Sequence, residues 1–183
     1  GGRWIMRTTM KDIAEYTLRP ARHSHCEDLA CLIDIAGEGI PSWLWAQDAN
    51  TGQTPLEVGT ARARREQGGF SYKNAVVAER AGHVLGMVLS YPITQADESA
   101  PADLPAPLVP FVALEAKSVG TWYVNALAVR AGSRGVGIGA ALIAHAQKQA
   151  SDAGFDTISI QVYAQNTGAV RLYHRLGFEV AAS

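Results

Sequence analysis

The chain has 183 residues, of which 48% are hydrophobic and 18% are charged, and its formal net charge is -1. This length and composition predict one folded domain with a core of its own and argue against a disordered chain. The near-neutral charge provides no overall field that would attract nucleic acid or an anionic membrane. We find no apolar run that predicts a membrane-spanning helix or a signal peptide, so we expect a cytoplasmic protein without nucleic acid or membrane partners.

The first methionine is Met6, so we interpret residues 1–15 as an N-terminal extension that could include a cloning remnant, and residues 16–183 as the single domain. The two cysteines, Cys26 and Cys31, lie five positions apart in a predicted helix. This spacing turns their side chains to different faces of the helix, which makes a disulfide between them geometrically unfavourable.

The amino-terminal half predicts short strands and helices with irregular segments between them. In chain order these are an edge strand over 16–20, a helix over 25–36, an irregular region around Trp43 and Trp45, an arginine-rich helix over 56–67, and strands over 74–80 and 83–91. The dipeptide Ala81-Gly82 between the last two strands predicts a hairpin. The next segment, 92–110, holds five of the eight prolines and is expected to form a long loop.

The carboxyl-terminal half shows a clearer alternation of strands and helices. Its predicted elements are a strand over 121–129, a glycine-rich turn, a helix from Ile138 that stops at Gly154, a strand over 157–163, a short helix over 167–176 and the start of a last strand over 178–180. In the long helix, four apolar residues share one face: Ile138, Leu142, Ala146 and Ala150. The order of elements predicts an α/β or α+β fold in which a mixed sheet has helices on both faces.

The glycine-rich turn, Arg134 to Gly139, lies between the strand over 121–129 and the long helix. Glycines allow a tight turn and leave no side chain between the backbone N–H groups and a bound anion. These N–H groups lie at the start of a helix, where the positive end of the dipole favours phosphate, and Arg134 adds a positive charge. The same hexapeptide is equally compatible with a tight turn that binds nothing.

Two other phosphate-binding motifs fit this turn poorly. A P-loop ends in Gly-Lys-Ser/Thr, whereas Gly139 is followed by Ala140 and Ala141. A dinucleotide-binding fingerprint needs glycines in the order G-x-G-x-x-G, whereas Gly135, Gly137 and Gly139 occupy every second position. The turn alone therefore does not identify a ligand.

Three motifs follow one another in a fixed order between residues 122 and 178. They are a strand that ends in Leu127-Ala128-Val129, an Arg-x-x-Gly-x-Gly motif from Arg134 to Gly139, and an N-x-x-A…L-Y-x-x-x-G-F segment from Asn166 to Phe178. Together they resemble the GNAT superfamily of N-acetyltransferases, and their order and spacing are far more specific than the glycine turn alone. The resemblance implies a mostly antiparallel mixed sheet that contains one splayed parallel strand pair.

The resemblance also implies that acetyl-CoA, as the co-substrate, lies in a V-shaped opening between the strand that ends at Val129 and the strand over 157–163. Backbone groups of Leu127, Ala128 and Val129 would pair with the pantetheine arm. The pyrophosphate would be held by backbone amides of Arg134, Gly135, Val136, Gly137, Ile138, Gly139 and Ala140. Asn166 would contact the pantetheine, a role that is compatible with capping the short helix.

Acetyl transfer needs a neutral amine, although an amine of the lysine type has a pKa of about 10.4 and is mostly protonated at neutral pH. A base, often acting through water, must therefore remove a proton. The oxyanion needs a donor, such as the amide of Leu127, and the departing thiolate gains from an acid. The resemblance gives the role of catalytic acid to Tyr173, although its helical spacing with Ala169, Leu172 and Leu176 by itself favours a core residue.

The base stays open among Glu115, Tyr123, Asn125 and water. GNAT members often carry a glutamate near the start of the central strand, where this sequence has Tyr123 or Asn125. Neither is a good base at neutral pH, although either could position a water molecule. Alternation along the strand predicts that both share a face with Leu127 and Val129. Glu115 is the nearest carboxylate, and it can also be interpreted as a solvated acid in a loop.

The sequence thus predicts an N-acetyltransferase that moves the acetyl group of acetyl-CoA to a primary amine of a small molecule or peptide by direct attack. The alternative is a non-catalytic acyl-CoA-binding sensor domain. The histidines show no metal-ligand spacing, so we expect no metal. GNAT members usually have another strand after the Gly-Phe segment, whereas the sequence stops a few residues after Phe178. We therefore expect either that this end is trimmed or that a second copy completes the sheet in a homodimer.

Overall fold

A computed structural model of the protein describes residues 2–6, 15–95 and 105–181. One sheet of five strands runs in the order β1-β2-β3-β4-β5. The strands are β1 (Thr17–Pro20), β2 (Ala75–Arg80), β3 (His83–Pro92), β4 (Trp122–Val129) and β5 (Ile158–Ile160). Neighbouring strands are antiparallel except β4 and β5, which are parallel. The predicted mixed, mostly antiparallel sheet is confirmed.

Helices cover both faces of the sheet. They are α1 (Cys26–Ala36), α2 (Ile40–Asp48), α3 (Pro55–Ala63), α4 (Val109–Ala116), α5 (Ile138–Asp152) and α6 (Thr167–Arg175). On one face, α1 packs against β2, β3 and β4, while α2 and α3 add a small cluster around Trp45. On the other face, most of the buried residues of α5 and Tyr173 of α6 pack with strand residues in the second core cluster. Each face of the sheet therefore has its own apolar layer.

The predicted one-sided packing of the long helix is confirmed. Ile138, Leu142, Ala146 and Ala150 of α5 are all buried, and the first three contribute to the core cluster on that face of the sheet. The chain then turns at Gly154, which has a φ of +87°. Glycine adopts this left-handed conformation without the steric cost that a side chain would add, and so ends the helix.

The predicted hairpin between β2 and β3 is also present. The two residues that join the strands, Ala81 and Gly82, have φ values of +50° and +80°. Positive φ at both central positions matches the type of two-residue turn whose twist suits antiparallel strands. The turn fixes the pairing of Arg80 with His83 and thereby the start of the register along β3.

A bulge interrupts the pairing between β3 and β4. Leu89 pairs with Ala126, but the next residue, Ser90, pairs with Val124. Asn125 is therefore an extra residue in β4 that has no paired residue in β3. Bulges of this kind re-aim side chains and are common near functional sites.

The bulge reverses the faces that strand alternation predicts. Tyr123 contacts Tyr91 across the sheet on the α1 face, whereas Leu127 and Val129 pack against the core cluster on the α5 face. The prediction that all of these β4 residues share one face is wrong. The inserted residue Asn125 shifts the alternation by one position, so the residues before and after it no longer follow a single in-and-out pattern.

The parallel pair opens part-way along β4. Pairing runs from Trp122 with Ile158 to Val124 with Ile160, where β5 ends. Since β4 continues to Val129, its last five residues extend beyond β5. This is the splayed pair that the sequence predicted, although β5 is shorter than the predicted strand over 157–163.

Several predicted boundaries are wrong. The region around Trp43 and Trp45 is helical (α2) and not irregular. The sequence shows no helical period there, and Trp45 is instead positioned by packing on Phe70. Helix α3 ends before the predicted Gln67. Residues 178–181 do not form a strand, and the Phe178 N–H instead bonds back to the Tyr173 carbonyl at the end of α6.

The proline-rich segment also differs from its prediction. Residues 96–104 lie outside the described residues, but the following part contains a short 3-10 helix, Ala106–Leu108, and then α4. Prolines are tolerated in the first turn of a helix, where their missing N–H is not needed. The proline count therefore misled the prediction of a continuous loop, and Glu115 lies in a helix.

Candidate active site

A cavity of about 1080 Å³ opens where β4 and β5 separate. Its walls come from α1, α2, α4, β4, the glycine turn, the chain that follows β5, and α6. Because α1 and α5 cover opposite faces of the sheet, the cavity reaches both faces through the gap between the two strands. Such a passage allows a ligand on one side to meet a ligand on the other.

The glycine turn forms the end of the cavity on the α5 face. Gly135 and Gly137 both have a φ of +83°, which L side chains rarely adopt. Gly137 is also the N-cap of α5 and has no side chain to cap the helix. The first backbone N–H groups of a helix lack intrahelical partners, so this end of the fifteen-residue α5 presents donors and a positive dipole end. These features fit a pyrophosphate.

The predicted phosphate-binding residues differ in whether they line the cavity and in whether their side chains or only their backbone groups could reach a ligand there. Arg134, Gly135, Gly137, Ile138, Gly139 and Ala140 all line the cavity. Val136 is 45% exposed and is not among the lining residues. The side chain of Ile138 is buried in the core, so its contribution to a ligand would come from the backbone. The Arg134 side chain folds back, and its Nε donates to the carbonyl oxygen of Val129 at 3.2 Å.

The predicted pantetheine-binding strand, Leu127 to Val129, also lines the cavity, at the part of β4 that extends beyond β5. Asn166 lies opposite, at the start of α6. Its side-chain oxygen accepts a hydrogen bond from the Ala169 N–H at 3.2 Å, so the capping role is confirmed. Asn166 lines the cavity as well, and a ligand contact stays a prediction.

Tyr173 is both a core residue and a cavity residue. It is only 8% exposed, and it packs in the α5-face cluster beside the ring of Phe178 at 5.6 Å. It also lines the cavity. Burial raises the pKa of the Tyr173 phenol to about 12, because the phenolate would be poorly solvated there. The phenol is therefore a proton donor over the whole neutral range.

A polar cluster lies on the α1 face, near the point at which the two strands separate. Asn125 Nδ2 donates to the Tyr91 hydroxyl at 3.1 Å, and the rings of Tyr91 and Tyr123 meet edge to face at 5.8 Å. Gln161, just beyond β5, hydrogen-bonds the hydroxyl of Tyr123. The bulge in β4 turns Asn125 into this cluster.

The carboxylate of Glu115 acts on both tyrosines of this cluster. Burial is the main cause that raises the pKa of Tyr91, to about 12, and the negative charge of Glu115 adds to it. The pKa of Tyr123 is raised even further by burial, by Tyr91 and by Glu115. Both phenols stay protonated at neutral pH, which makes them poor bases. Of the described residues that line the cavity, Glu115 carries the one carboxylate.

Sequence reasoning missed Tyr91 and Gln161. Tyr91 becomes relevant only because the register places it opposite Tyr123, and the register depends on the bulge. Gln161 belonged to a predicted strand without any chemical motif of its own. Trp43 and Trp45, which are close in sequence, have different surroundings. Trp45 lines the cavity, whereas Trp43 is 49% exposed and does not.

Residues 38–178 match the family described as the acetyltransferase (GNAT) family. The chain belongs to this family. Mycothiol acetyltransferase from Cellulomonas flavigena is 32% identical to it over 119 residues, which make up 64% of this chain and 30% of that protein. The chain therefore spans less than a third of the length of this curated relative.

Solved structures agree with the fold. An N-acetyltransferase from Staphylococcus aureus Mu50 superposes with a TM-score of 0.65 at 21% identity, covering 91% of this chain and 92% of that one. An aminoglycoside N-acetyltransferase in complex with CoA superposes with a TM-score of 0.58 at 18% identity, covering 92% and 91%. At these identities the structures establish the GNAT fold and not a shared substrate.

Every helix in the described parts of the chain is too short or too polar to traverse a bilayer. Over the same residues, no three side chains of His, Cys, Asp or Glu come together as metal ligands would.

Proposed function

We propose that this chain transfers the acetyl group of acetyl-CoA to a primary amine by direct attack of the amine on the thioester. The observation that carries the proposal is the cavity at the gap between β4 and β5, which joins a helix N-terminus on one face of the sheet to a polar cluster on the other. Membership of the GNAT family supports acetyl-CoA as the donor.

The residues on the α5 face fit the binding of the donor. The backbone of Gly135 to Ala140 would hold the pyrophosphate, with Arg134 at the mouth contributing a positive charge. The free edge of β4 at Leu127 to Val129 would pair with the pantetheine as an added strand does. Asn166, at the start of α6, would contact the same arm.

The residues near the gap supply the proton transfers. Glu115 takes a proton from the incoming ammonium through a water molecule, which makes the amine nucleophilic. As the amine nitrogen bonds to the acetyl carbon, the carbon–sulfur bond breaks, and Tyr173 gives its proton to the departing sulfur. The nitrogen, which becomes cationic when it attacks, loses its second proton to solvent and leaves a neutral amide, and Glu115 releases the proton that it took to solvent. The phenolate is then reprotonated from solvent. A phenol with its pKa raised by burial stays protonated until the thiolate appears.

The test is a thiol-release assay with acetyl-CoA and a panel of primary amines, using wild type, Tyr173→Phe and Tyr16→Phe. Tyr16 packs against the same core cluster but does not line the cavity, so it serves as the matched control. We expect Tyr173→Phe to lower kcat roughly 100-fold or more while leaving KM for acetyl-CoA nearly unchanged. Tyr16→Phe should behave as wild type.

Three other outcomes would count against the proposal. Equal kcat for wild type and Tyr173→Phe would remove this residue from the mechanism. Tight binding of acetyl-CoA without thiol release for any amine would favour a non-catalytic acyl-CoA sensor. A failure to bind acetyl-CoA would contradict the proposal as a whole.

A further inference from the structure

We propose that the acceptor is a small monoamine with an apolar substituent, whose single ammonium group lies near Glu115 while the substituent packs against the apolar side chains on the α1 face of the cavity. This inference rests on the proposed acetyl transfer and names the substrate class of the same site. It follows from a difference between the two ends of the cavity. The end on the α5 face presents backbone N–H groups that fit a pyrophosphate, whereas the end on the α1 face is lined mainly by apolar side chains.

The end of the cavity on the α1 face is built from apolar side chains. We call six of them the apolar wall: Ile33, Ile40, Leu44, Trp45, Phe70 and Val112. They come from α1, α2, α4 and the segment before β2, so the wall surrounds a ligand from several directions. Pockets of this kind bind the apolar body of a ligand, and a few polar groups fix its orientation.

Within the apolar wall, the Trp45 side chain is held between neighbouring groups. Its ring stacks on that of Phe70 with centroids 6.1 Å apart and planes 14° from parallel. Gly59 of α3 also lies against this ring, because a Cβ added at Gly59 would come within 2.5 Å of it. Glycine at position 59 thus lets the indole lie flat on the helix. The buried, closely packed indole therefore presents an apolar surface to the cavity.

Charge favours one ammonium group and disfavours a second. Glu115 is the one carboxylate among the described residues that line the cavity, and its charge reaches the hydroxyls of Tyr91 and Tyr123 beside the gap. An ammonium near Glu115 is therefore beside the gap between β4 and β5 and is paired with a negative charge. A second ammonium on the same molecule would lie against the apolar wall and lose its hydration without a partner.

The first experiment compares two amines of equal chain length, n-hexylamine and hexamethylenediamine, as acceptors in the thiol-release assay. We expect kcat/KM for n-hexylamine to exceed that for hexamethylenediamine by roughly 30-fold or more, because only the diamine buries an unpaired charge. Calorimetric titration of both amines into the CoA-saturated protein measures the same preference without turnover.

A charge placed in the wall provides the second experiment. Leu44→Glu puts a carboxylate at a partly buried wall position, whereas Trp43→Glu puts one on the exposed neighbour outside the cavity. We expect Leu44→Glu to lower the ratio of kcat/KM for n-hexylamine to that for hexamethylenediamine at least tenfold, because the new carboxylate pairs with the second ammonium of the diamine. Trp43→Glu should keep the wild-type preference.

The outcomes separate this inference from the proposed acetyl transfer. Turnover of hexamethylenediamine with a kcat/KM equal to or above that of n-hexylamine would overturn the monoamine inference and keep acetyl transfer. Selective binding of n-hexylamine without thiol release would overturn acetyl transfer and keep the apolar monoamine site. Absence of both binding and turnover for n-hexylamine would overturn the inference.

Discussion

Tyr173 shows how one side chain can satisfy two interpretations of the same sequence pattern. Its spacing with neighbouring apolar residues predicted a core position, and the family resemblance predicted a catalytic acid. The residue is buried in the α5-face cluster and also lines the cavity, so the packing does not exclude the chemistry. For Glu115 the sequence was less informative. Its surroundings favoured a solvated loop, whereas the residue lies in α4 and lines the cavity.

Glu115→Gln tests the proposed base with a side chain of nearly the same shape. We expect kcat/KM for the amine to fall roughly 100-fold, because the variant can no longer accept a proton. The measurement is kcat/KM against pH. The variant should retain only the rise that follows deprotonation of the amine, near its ordinary pKa of about 10.4.

The control for this substitution is Glu57→Gln, which changes an exposed acid of α3 that does not line the cavity. It should leave the pH profile unchanged. If Glu115→Gln keeps the wild-type kcat/KM at every pH, then Glu115 is not the base. Water held by the Asn125 cluster would then be the remaining candidate.

The elements that the sequence predicted well are those whose packing follows a local period. Helix α5 has one buried face, and the β2–β3 hairpin has a short turn with positive φ, so neighbouring residues carry the information. Helices α2 and α4 were missed because tertiary contacts and helix-start prolines determine them. The bulge at Asn125 was missed because it depends on the partner strand.

The glycine turn before α5 gives a prediction with a matched control. Gly137 and Gly154 have φ values of +83° and +87°, and both have open space where a Cβ would lie, but only Gly137 lies at the cavity. Substitution of either by Ala should lower the free energy of unfolding by about 1 to 2 kcal/mol, because a side chain disfavours this conformation.

Only Gly137→Ala should also weaken acetyl-CoA binding, by about tenfold or more, since it disturbs the amides that would hold the pyrophosphate. Chemical denaturation measures the stability of both variants, and calorimetric titration measures their affinity for acetyl-CoA. Equal affinities of the two variants would show that the turn does not bind the donor.

The molecule as a whole is a sheet opened at one strand pair, with a cavity that passes from face to face. The order of predicted elements and the three motifs of the carboxyl-terminal half were enough to predict the fold and the splayed pair. The acceptor side was not predictable, because its apolar wall is assembled from α1, α2, α4 and Phe70, which lie far apart in the sequence. No local pattern marks residues that meet only in the folded chain.

Burial of tyrosines around the cavity predicts a loss of stability in alkali. The pKa values of Tyr91 and Tyr173 are raised to about 12 in the folded protein, compared with an ordinary value of about 10. The folded state holds these protons more tightly, so the stabilisation is fully present below about pH 10 and is lost as pH rises toward 12.

Tyr173 alone should contribute about 1.4 kcal/mol to this loss by pH 11, where the phenol is ionised in the unfolded chain but not in the folded one. The measurement is urea unfolding at a series of pH values between about 8 and 11 for wild type and Tyr173→Phe. The variant should show a shallower decline of the unfolding free energy above pH 10. Parallel declines would mean that the Tyr173 phenol ionises equally easily in both states.

The most direct test of the central claim follows an isotopically labelled acetyl group from acetyl-CoA by mass spectrometry, with n-hexylamine as the acceptor. Direct transfer predicts that the label appears on the amine nitrogen in step with thiol release, while the intact protein stays unlabelled at every time point. Label that remains on CoA would contradict acetyl transfer to this class of amine. Label that accumulates on the protein before the amine would contradict direct attack.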